Sequence, residues 1–599
     1  MSSSKANLTT GSVEGAGEAA PARPAERLPW TLKLVYGAPN FAGAAMIIPI
    51  FVLMPKFYAD VVLVPLGYLA IAIAVARSLD ALSDPFLGWI SDRTQTRWGR
   101  RRPYIVVGAP LCALAFFALL NPPWGLSGGI AALWFGTTFI LYFLFSTIYG
   151  LSHYALGPEL TLDYHERSSL FAVRESFTIL GTIAASAAPG FMMKAGMPER
   201  RVFFVLGIAF GLTLTALYWL LALRVKERRD FVERKSNPLV PGIRRALRNR
   251  PFAILLASYV VGSVTGAIPA TMLPFFNAYV IRPHNPDLWL SIELLGYFGF
   301  GFLSLPLWLA GARRFGKLPA WLASFVAGIT GGGAMFFLGK GDVYPLLVLI
   351  CWAGCGFGAG LFLTPAMQAD VIDYDEFYTG KRREAQYGAF WAILPKFVAI
   401  PSAAIPIAIL ASLGYVPNAA QLPQVILAIK GIFALGPAIF ATLSFMIART
   451  YPIDEAAHRA ILEGITLHAQ GLPAPDPLTS RMVPPPHSNG IDEETGWFLD
   501  YFSAGELRRY LARGGGSPVR DVWRAAALSL AVFGLSAWYV LQRMDSLRND
   551  PGAMVSLCVV AAGFAFTVFL FHMMRLRPAR SLATGRVSSD MIRIHLSGD

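Results

Sequence analysis

The chain has 599 residues, of which 55% are hydrophobic and 15% are charged. Soluble globular proteins carry about 25% charged residues, so the composition excludes an ordinary soluble domain and indicates a polytopic membrane protein. The net charge of +14 would suggest nucleic-acid binding in a soluble protein. Here the basic residues fall between long apolar segments, and no nucleic-acid partner is predicted.

Apolar segments long enough to cross a bilayer recur along most of the chain. A transmembrane helix needs roughly 20 mostly apolar residues; twelve segments meet this requirement before residue 450, and two follow later. The predicted spans, numbered 1 to 14, cover about 31–56, 62–91, 103–121, 129–157, 168–193, 201–224, 252–281, 288–311, 318–338, 343–370, 385–412, 424–449, 521–542 and 553–574.

Lys and Arg are distributed unequally between the predicted loops. The loops after spans 2, 4, 6, 8 and 10 hold 22 of them, whereas the loops after the odd-numbered spans up to 11 hold six. By the positive-inside rule, the even-numbered loops and both termini are predicted to be cytoplasmic. The predicted location is the plasma (inner) membrane.

The first twelve spans divide into two halves of six. A long basic loop at 225–251 separates them, and "RWGRRRP" after span 2 is echoed by "RRFGKLP" after span 8, 217 residues later. Parallel repeats of six spans are typical of major facilitator transporters. The predicted fold is therefore an all-α major facilitator fold with six-helix bundles at 30–224 and 252–449, followed by a C-terminal two-helix hairpin.

The remaining segments are predicted to be accessory. Residues 1–29 are rich in Ser, Gly, Ala and Pro, and are expected to form a disordered cytoplasmic tail rather than a signal peptide. Residues 450–520 are rich in Pro and are expected to form a cytoplasmic linker with little core of its own. The hairpin at 521–574 is expected to serve packing or assembly, and residues 575–599 to form a second cytoplasmic tail.

Two carboxylates interrupt span 2. Asp80 and Asp84 are four residues apart and therefore share one helix face. A charge at mid-membrane costs roughly 2.5–3.5 kcal/mol, and two like charges one turn apart repel, so the pair favours a bound proton or cation. A structural ion pair with Arg77 or Lys396 is the alternative. Spacing alone leaves both possibilities open.

Three motifs carry a resemblance to a known family: "DALSDPFLGWISDRTQTRWGRRRPYI", "GPELTLDYHERSSLFAVR" and "ADVIDYDEFYTGKRREAQYGAFWAILPK". Over about residues 30–449 the chain resembles the glycoside-pentoside-hexuronide:cation symporters, the melibiose-permease branch of the major facilitator superfamily. The resemblance implies that Asp80, Asp84 and Thr147 bind the coupling ion, with Lys396 near that site. Ser83, a further oxygen ligand, stands where melibiose permease has Asn, so a proton is expected as readily as sodium.

The residues that hold the sugar in melibiose permease are not kept. Its acids in spans 1 and 4 correspond to Ala44 and Gly150, and its sugar-stacking tryptophans to Tyr154 and Leu361. Aromatic, amide and hydroxyl groups suit a polyhydroxy ligand, and basic groups also suit an acidic sugar, although each aromatic could instead serve helix packing. The predicted substrate-binding residues are Tyr36, Asn40, Tyr149, His153, Tyr154, Arg174, Trp391 and Lys396.

Opposite charges collect at the predicted cytoplasmic ends of the spans. They could hold the two halves together in the outward-facing state, or they could serve only as a topology signal. The predicted gate residues are Asp92, Arg93, Arg97, Arg100, Arg101, Arg102, Asp163, Glu166, Asp373, Asp375 and Glu376.

These features together predict a secondary active transporter that couples a proton or Na⁺ to the symport of a sugar, glycoside or related polyhydroxy molecule. No other cofactor and no metal site is predicted. The chain has no HExxH, P-loop or GxSxG set, so an enzyme is not predicted. Two alternatives stay open: a transporter of a lipid-like solute, and a membrane receptor with residues 450–520 as its output segment. The expected partners are a small-molecule substrate and membrane lipid.

Overall fold

The structure is a computed structural model in which nearly all described residues are helical. It describes residues 28–94, 96–160, 164–225, 227, 239–380, 384–486, 493–513, 517–543 and 553–597. The predicted gate residue Asp163 lies outside this part of the chain, as do the side chains of Asp84, Asp92 and Arg93.

Proline divides the first predicted span into three helices. Pro39, Pro49 and Pro55 each lie in the first turn of a helical segment, where a missing N–H costs little. A π-helical turn at Pro49–Leu53 joins two of these segments. The helices of the first half are α1 (Trp30–Gly37), α2 (Pro39–Ile48), α3 (Met54–Asp60), α4 (Leu66–Arg93), α5 (Arg102–Leu120), α6 (Gly128–Leu160), α7 (Tyr164–Lys194) and α8 (Glu199–Arg224).

The second half repeats this organisation after an amphipathic loop helix. A π-helical turn at Asn277–Ile281 ends the first span of this half, and another at Gly431–Leu435 interrupts the last. The helices are α9 (Leu239–Arg248) in the central loop, then α10 (Arg250–Phe276), α11 (Pro286–Leu303), α12 (Leu305–Phe315), α13 (Lys317–Met335), α14 (Val343–Thr379), α15 (Glu384–Ser412), α16 (Pro423–Lys430) and α17 (Gly436–Ala448).

The helix inventory confirms the predicted all-α polytopic fold. Among the described residues, 13 helical segments are long and apolar enough to cross a membrane. They correspond to every predicted span except span 2. That span is α4, whose 28 residues extend about 42 Å at 1.5 Å per residue. The two halves meet where α4 contacts α15, where α7 contacts α11, and where α10 contacts the turn at 49–53.

Residues 450–520 are predicted to have little core of their own, and the first described part of this segment packs on the second half. Helix α18 (Glu455–Ala469) packs on the end of α14, which has 37 residues and at about 55 Å is far longer than a bilayer core of about 30 Å. A Cβ at Gly464 would lie 2.4 Å from the Phe377 ring, so glycine allows this close approach. Strands β1 (Ala474–Pro475) and β2 (Met482–Val483) then pair antiparallel.

The final segments, including the predicted tail at 575–599, form a packed unit. Apolar side chains from five helices share one core. The helices are α19 (Glu493–Leu499), α20 (Ala504–Arg513), α21 (Ser517–Gln542), α22 (Ala553–Ala583) and α23 (Ser589–Ser597). The core contains Phe498, Leu499, Phe502, Leu507, Val522, Ala579, Leu582, Val587 and Ile592.

The C-terminal hairpin of α21 and α22 packs directly on the two six-helix halves. Helix α22 contacts α4 of the first half and α15 of the second. A Cβ at Gly563 would lie 2.7 Å from the Ser78 hydroxyl, and the Phe564 ring meets the Phe397 ring edge to face at 6.4 Å. The hairpin therefore spans the seam between the two halves.

Candidate functional site

A buried carboxylate brings three transmembrane helices together. Asp80 of α4 is 3% exposed. Its carboxylate lies 3.1 Å from Lys396 Nζ of α15, 3.5 Å from Arg77 Nη1 of its own helix, and 3.4 Å from Thr147 Oγ1 of α6. Asp80, Thr147 and Lys396, which lie far apart in the sequence, therefore meet at one point.

The other two predicted ion ligands are placed differently. The Ser83 hydroxyl donates a hydrogen bond to the backbone carbonyl of Asp80 at 3.0 Å, so it is engaged within its own helix. Asp84 lies one turn after Asp80 on α4, but its side chain is outside the described residues. The ion pair of Asp80 with Lys396 and Arg77 is the alternative that the sequence had left open. Binding of an ion by the paired acids stays a prediction.

Three of the predicted substrate residues form a buried polar cluster in the first half. His153 is 1% exposed and lies with Nε2 2.9 Å from the Tyr36 carbonyl oxygen and with Nδ1 3.1 Å from the Tyr218 hydroxyl. A carbonyl can only accept, so Nε2 carries the proton and Nδ1 accepts from Tyr218. The Tyr149 ring packs against the Tyr218 ring in a tilted arrangement, with centroids 4.6 Å apart. The three side chains are buried within the bundle in this structure, and their contact with a substrate stays a prediction.

Arg174 keeps a more open position. Its Nε and Nη2 atoms donate to one Glu175 oxygen at 3.0 and 2.6 Å. Its guanidinium lies over the rings of Tyr154 and Phe171 at 5.1 and 4.9 Å. Tyr154 is 55% exposed. A cation beside an accessible aromatic face can bind the ring or the acid group of a sugar.

The other two predicted substrate residues are engaged by neighbouring side chains. Trp391 of α15 stacks nearly parallel on Tyr259 of α10, with ring centroids 4.0 Å apart and an interplanar angle of 15°. Asn40 donates to the Thr178 hydroxyl at 3.2 Å. Sequence reasoning missed Tyr259, because nothing in its local pattern separates it from a packing aromatic.

A cavity of about 630 Å³ lies between the halves, within the 300–1,000 Å³ range of small-molecule sites. Most of its wall comes from the second half, with Arg77 and residues 47–52 contributed by the first. None of the predicted substrate residues lines this cavity. Tyr259, on which Trp391 stacks, does line it. Its polar lining consists of Arg77, Ser258, Tyr259, Ser263, Thr265, Thr271, Tyr297, Ser324, Thr364 and Ser444.

A second buried carboxylate joins the halves at the end of the helix bundle that lies opposite the basic loops. This end is called the distal end. Asp60, at the end of α3, accepts hydrogen bonds from the hydroxyls of Tyr415 and Tyr279 at 2.5 and 3.0 Å. Its backbone carbonyl accepts from Asn418 at 2.7 Å, and Lys56 lies 3.0 Å from its carboxylate. These contacts close the distal end. The sequence offered only the Lys56–Asp60 spacing, and its partners in the other half could not be inferred.

The backbone of the basic turn in the predicted gate binds a carboxylate of the central loop. The backbone N–H groups of Arg100, Arg101 and Arg102 donate to the Glu227 carboxylate at 2.7, 2.8 and 2.9 Å. The Arg102 side chain donates to the Ala222 carbonyl, at 2.6 Å from Nε. These contacts fold the turn against the end of α8.

Two other described gate candidates have partners of their own. Glu166 pairs with Lys33 at 2.8 Å within the first half, and Asp373 binds His458 of α18 at 2.9 Å. Arg97 is exposed. Closure of the halves by these charges stays a prediction. Two further candidates lie on the last turns of α14: Asp375 and Glu376.

A group of ionisable residues at the end of α14 resembles a metal site only in its spacing. Asp370, Asp373 and His458 each place one ligand atom within 4.8 Å of the others. Lys317 Nζ, however, binds both Asp370 oxygens at 2.6 and 2.7 Å, which neutralises that carboxylate. The group is better described as a charge network that fastens α18 to α14.

Comparison with known proteins agrees with this architecture. Residues 35–455 match the family model described as MFS/sugar transport protein. The chain is 25% identical to the isoprimeverose transporter of Lactiplantibacillus pentosus, over 74% of this chain and 93% of the relative. It is 27% identical to the glucuronide carrier protein homolog of Escherichia coli (strain K12), over 68% and 89%. The nucleoside transporter NupG (D323A mutant) superposes with a TM-score of 0.50 at 14% identity, over 70% of this chain and 99% of NupG.

The family model covers more than half of the chain, and the predicted resemblance to sugar symporters of the major facilitator superfamily is confirmed. The chain therefore belongs to the MFS/sugar transport protein family.

Proposed function

We propose that the chain is a secondary active transporter that couples a proton or Na⁺ to the symport of a sugar, glycoside or related polyhydroxy molecule by alternating access. The observation that supports this proposal is the position of the Asp80 carboxylate. It is buried on α4 and forms an ion pair with Lys396 of the opposite half. Its second ion-pair partner, Arg77, lines the central cavity. The names of the relatives, an isoprimeverose transporter and a glucuronide carrier homolog, support the substrate class.

The Asp80 ion pairs suggest how an ion couples to movement. A proton or cation at Asp80 and Asp84 competes with Lys396 and Arg77 for the same carboxylate. The Asp80–Lys396 bridge crosses from one half to the other, so ion occupancy changes an interaction between the halves. Because a ligand shifts a conformational equilibrium by its differential affinity for the two states, this exchange links ion binding to the orientation of the cavity.

The solute is expected to contact two surfaces. The Tyr259–Trp391 pair and the hydroxyl groups of the cavity favour a ring that stacks and forms hydrogen bonds. Arg174, flanked by the exposed Tyr154, extends the preference to sugars that carry an acid group. Some rearrangement must bring these surfaces to one ligand, as alternating access requires.

The basic loops set the proposed orientation. With those loops inside, both termini are cytoplasmic and the distal end faces outward in the plasma (inner) membrane. Contacts of Asp60 with Tyr279 and Tyr415 then correspond to a state closed to the outside. The surrounding membrane lipid is the remaining expected partner.

Gradient-driven accumulation in proteoliposomes tests the proposal. A panel of glycosides, pentosides and uronides is offered under an imposed proton or Na⁺ gradient, and accumulation of at least one solute is expected. The Asp80→Asn/Asp84→Asn double variant should lose accumulation while retaining some downhill exchange. Ser146→Ala is the matched control, because Ser146 adjoins Thr147 but its hydroxyl bonds the Phe143 carbonyl of its own helix at 2.8 Å. Undiminished accumulation by the double variant would contradict the coupling role.

A further inference from the structure

A further buried acid lies in the membrane-spanning region, far from Asp80 and Asp60 along the chain. Glu293 of α11 has no exposed surface, and Asn277, the first residue of the π-helical turn after α10, is 1% exposed. Asn277 Nδ2 donates to Glu293 Oε2 at 3.1 Å and to the Pro286 carbonyl at 3.3 Å. Short π-helical turns occur frequently at functional sites. Neither residue has a role in the transport mechanism proposed above.

The acid and the amide each leave one oxygen atom unsatisfied. Among the described residues, Glu293 Oε1 and Asn277 Oδ1 are buried without a hydrogen-bond partner. An ionised carboxylate only accepts, so it cannot supply a donor to the amide oxygen. A protonated carboxyl can, because Oε1–H would donate to Oδ1 while Oε2 continues to accept from Nδ2. One added proton therefore satisfies both orphaned oxygen atoms and forms a cyclic acid–amide pair.

No counter-charge offers an alternative in the described part of the chain. Glu293 forms no ion pair there, and Asn277 is its one hydrogen-bonding side chain. Helix α11 packs against α7, α14 and the π-helical turn. These elements and α11 itself carry several charged or titratable groups toward the distal end. None of these groups is bonded to Glu293. They are Lys194, Tyr344, Cys351, Tyr279, Asp287 and Tyr297.

The pair lies directly behind the contacts that close the distal end. Two residues before Glu293, the Ser291 hydroxyl accepts from the Gly190 N–H at 2.9 Å, and a Cβ at Gly190 would lie 2.5 Å from the Asp287 carbonyl. Two residues after Asn277, Tyr279 donates to Asp60. Separation of the halves at this end would therefore bring water to the acid–amide pair.

We propose that Glu293 is a proton-binding site, which holds one proton in a cyclic pair with Asn277 while the distal end is closed and releases it when that end opens. By linkage, protonation then favours the closed arrangement by the same factor that closure tightens proton binding. The site is distinct from the paired acids of α4 and does not depend on which solute is carried. Its ligand is a proton rather than a metal ion, because one O–H group serves both orphaned oxygen atoms.

Infrared spectroscopy of the full-length protein in lipid nanodiscs tests this assignment. At neutral pH the wild type should show the C=O stretch of a protonated carboxyl, which shifts when glutamate carboxyl groups carry ¹³C. Glu293→Gln should remove one such carboxyl per molecule and still fold, since glutamine offers the same donor and acceptor to Asn277. The control Glu455→Gln, at a side chain that is 77% exposed, should leave the band unchanged.

Three outcomes would overturn the proposal. The first is identical carboxyl bands in the wild type and Glu293→Gln. The second is failure of Glu293→Gln to fold, because an amide should replace a neutral acid. The third is loss of the band on addition of Na⁺ at constant pH, which would assign a metal ion to the site. The measurement needs no transported solute, so none of these outcomes bears on the proposed symport.

Discussion

Asp80 is a buried carboxylate with two cations beside it, which is how a charge in a membrane span is usually neutralised. It is almost completely buried, and it has both Lys396 and Arg77 within ion-pair distance. Arg77 also lies over the rings of Phe51 and Phe143 at 4.7 and 4.9 Å, which fixes its guanidinium even when the carboxylate is occupied elsewhere. The Lys396 side chain is 31% exposed, against 13% for Arg77, and it belongs to the opposite half. We therefore expect Lys396 to be the cation that moves when an ion binds.

His458 provides a titratable contact outside the membrane spans. Its hydrogen bond with Asp373 raises the pKa of the imidazole above its ordinary value. A group whose pKa is raised on folding contributes stability below its unfolded pKa of about 6.5 and loses it as the pH rises through the folded value. The contact of α18 with α14 should therefore weaken as the medium becomes alkaline.

His458→Gln should remove this pH dependence. Thermal unfolding of the wild type, followed between about pH 6 and pH 8.5, should show a midpoint that falls with rising pH relative to the variant. His284→Gln, a histidine in the loop between α10 and α11 at the distal end, is the control and should follow the wild type. Parallel pH profiles for the wild type and His458→Gln would show that the imidazole contributes nothing to this contact.

At the scale of elements, the distal end is closed by contacts between the ends of helices rather than by packing along their faces. The end of α3 meets the π-helical turn after α10 and the loop after α15 through the carboxylate and the backbone carbonyl of Asp60. Burial, with the adjacent charge of Asp60, raises the pKa of Tyr415, so its hydroxyl stays a donor at physiological pH. Opening must break charge-assisted hydrogen bonds, each worth about 1.5–3 kcal/mol.

Tyr415→Phe should shift the protein toward the state open at the distal end. Loss of about 1.5 kcal/mol corresponds to roughly a tenfold change in the closed-to-open ratio. Spin labels at Met197 and Tyr344, exposed residues of opposite halves at this end, should report a longer distance. Gln424→Ala removes a hydrogen bond within the second half alone and should leave the distance distribution unchanged. An unaltered distribution for Tyr415→Phe would show that apolar packing maintains closure.

At the scale of the whole molecule, the number of transmembrane spans could be predicted from the sequence. The contacts between distant helices could not. Segments of 20 apolar residues can satisfy their backbone only as helices in lipid, so each span follows from its own sequence. The Asp60 contacts join residues 219, 355 and 358 positions apart, and no local pattern encodes them. Likewise, the apolar face of α18 is visible in the sequence, but the protruding end of α14 that receives it is a property of the fold.

The C-terminal unit, formed by α19 to α23, contacts both six-helix halves and the central-loop helix α9. Helix α22 contacts α4 and α15, one from each half, while α19 and α20 reach the central-loop helix α9 through ion pairs. Asp500 of this unit is 1% exposed; it binds Arg245 and lies 3.1 Å from Arg248. Glu506 lies 2.7 Å from Arg575 and 3.3 Å from Arg244. When the two halves move relative to each other, the C-terminal unit must therefore either move with them or lose its ion pairs with α9.

Acid should release this unit from α9. Burial alone would raise the pKa of Glu506, but hydrogen bonds and charge from Arg575, with help from Arg244, lower it to about 2. A lowered pKa contributes stability that is present above the unfolded value of about 4.3 and is lost as the pH falls toward the folded value. Fluorescence of Trp497, whose ring packs on Arg245 at 4.0 Å, should change between about pH 4.5 and pH 2 and earlier in Glu506→Gln.

Asp500→Asn tests the attachment at neutral pH. The substitution leaves Arg245 and Arg248 facing a neutral amide, and loss of one partner of a buried pair costs about 3–5 kcal/mol. Both arginines are partly exposed, so water offsets part of that cost and we expect roughly 2–3 kcal/mol. Amide hydrogen exchange in α9 should then accelerate by about 30-fold or more, while α22 stays protected by its contacts with α4 and α15. Asp590→Asn, in an exposed pair with Arg593, should change neither region. If α9 exchanges at the wild-type rate in Asp500→Asn, its apolar contacts hold it in place, and movement of the halves need not disturb the C-terminal unit.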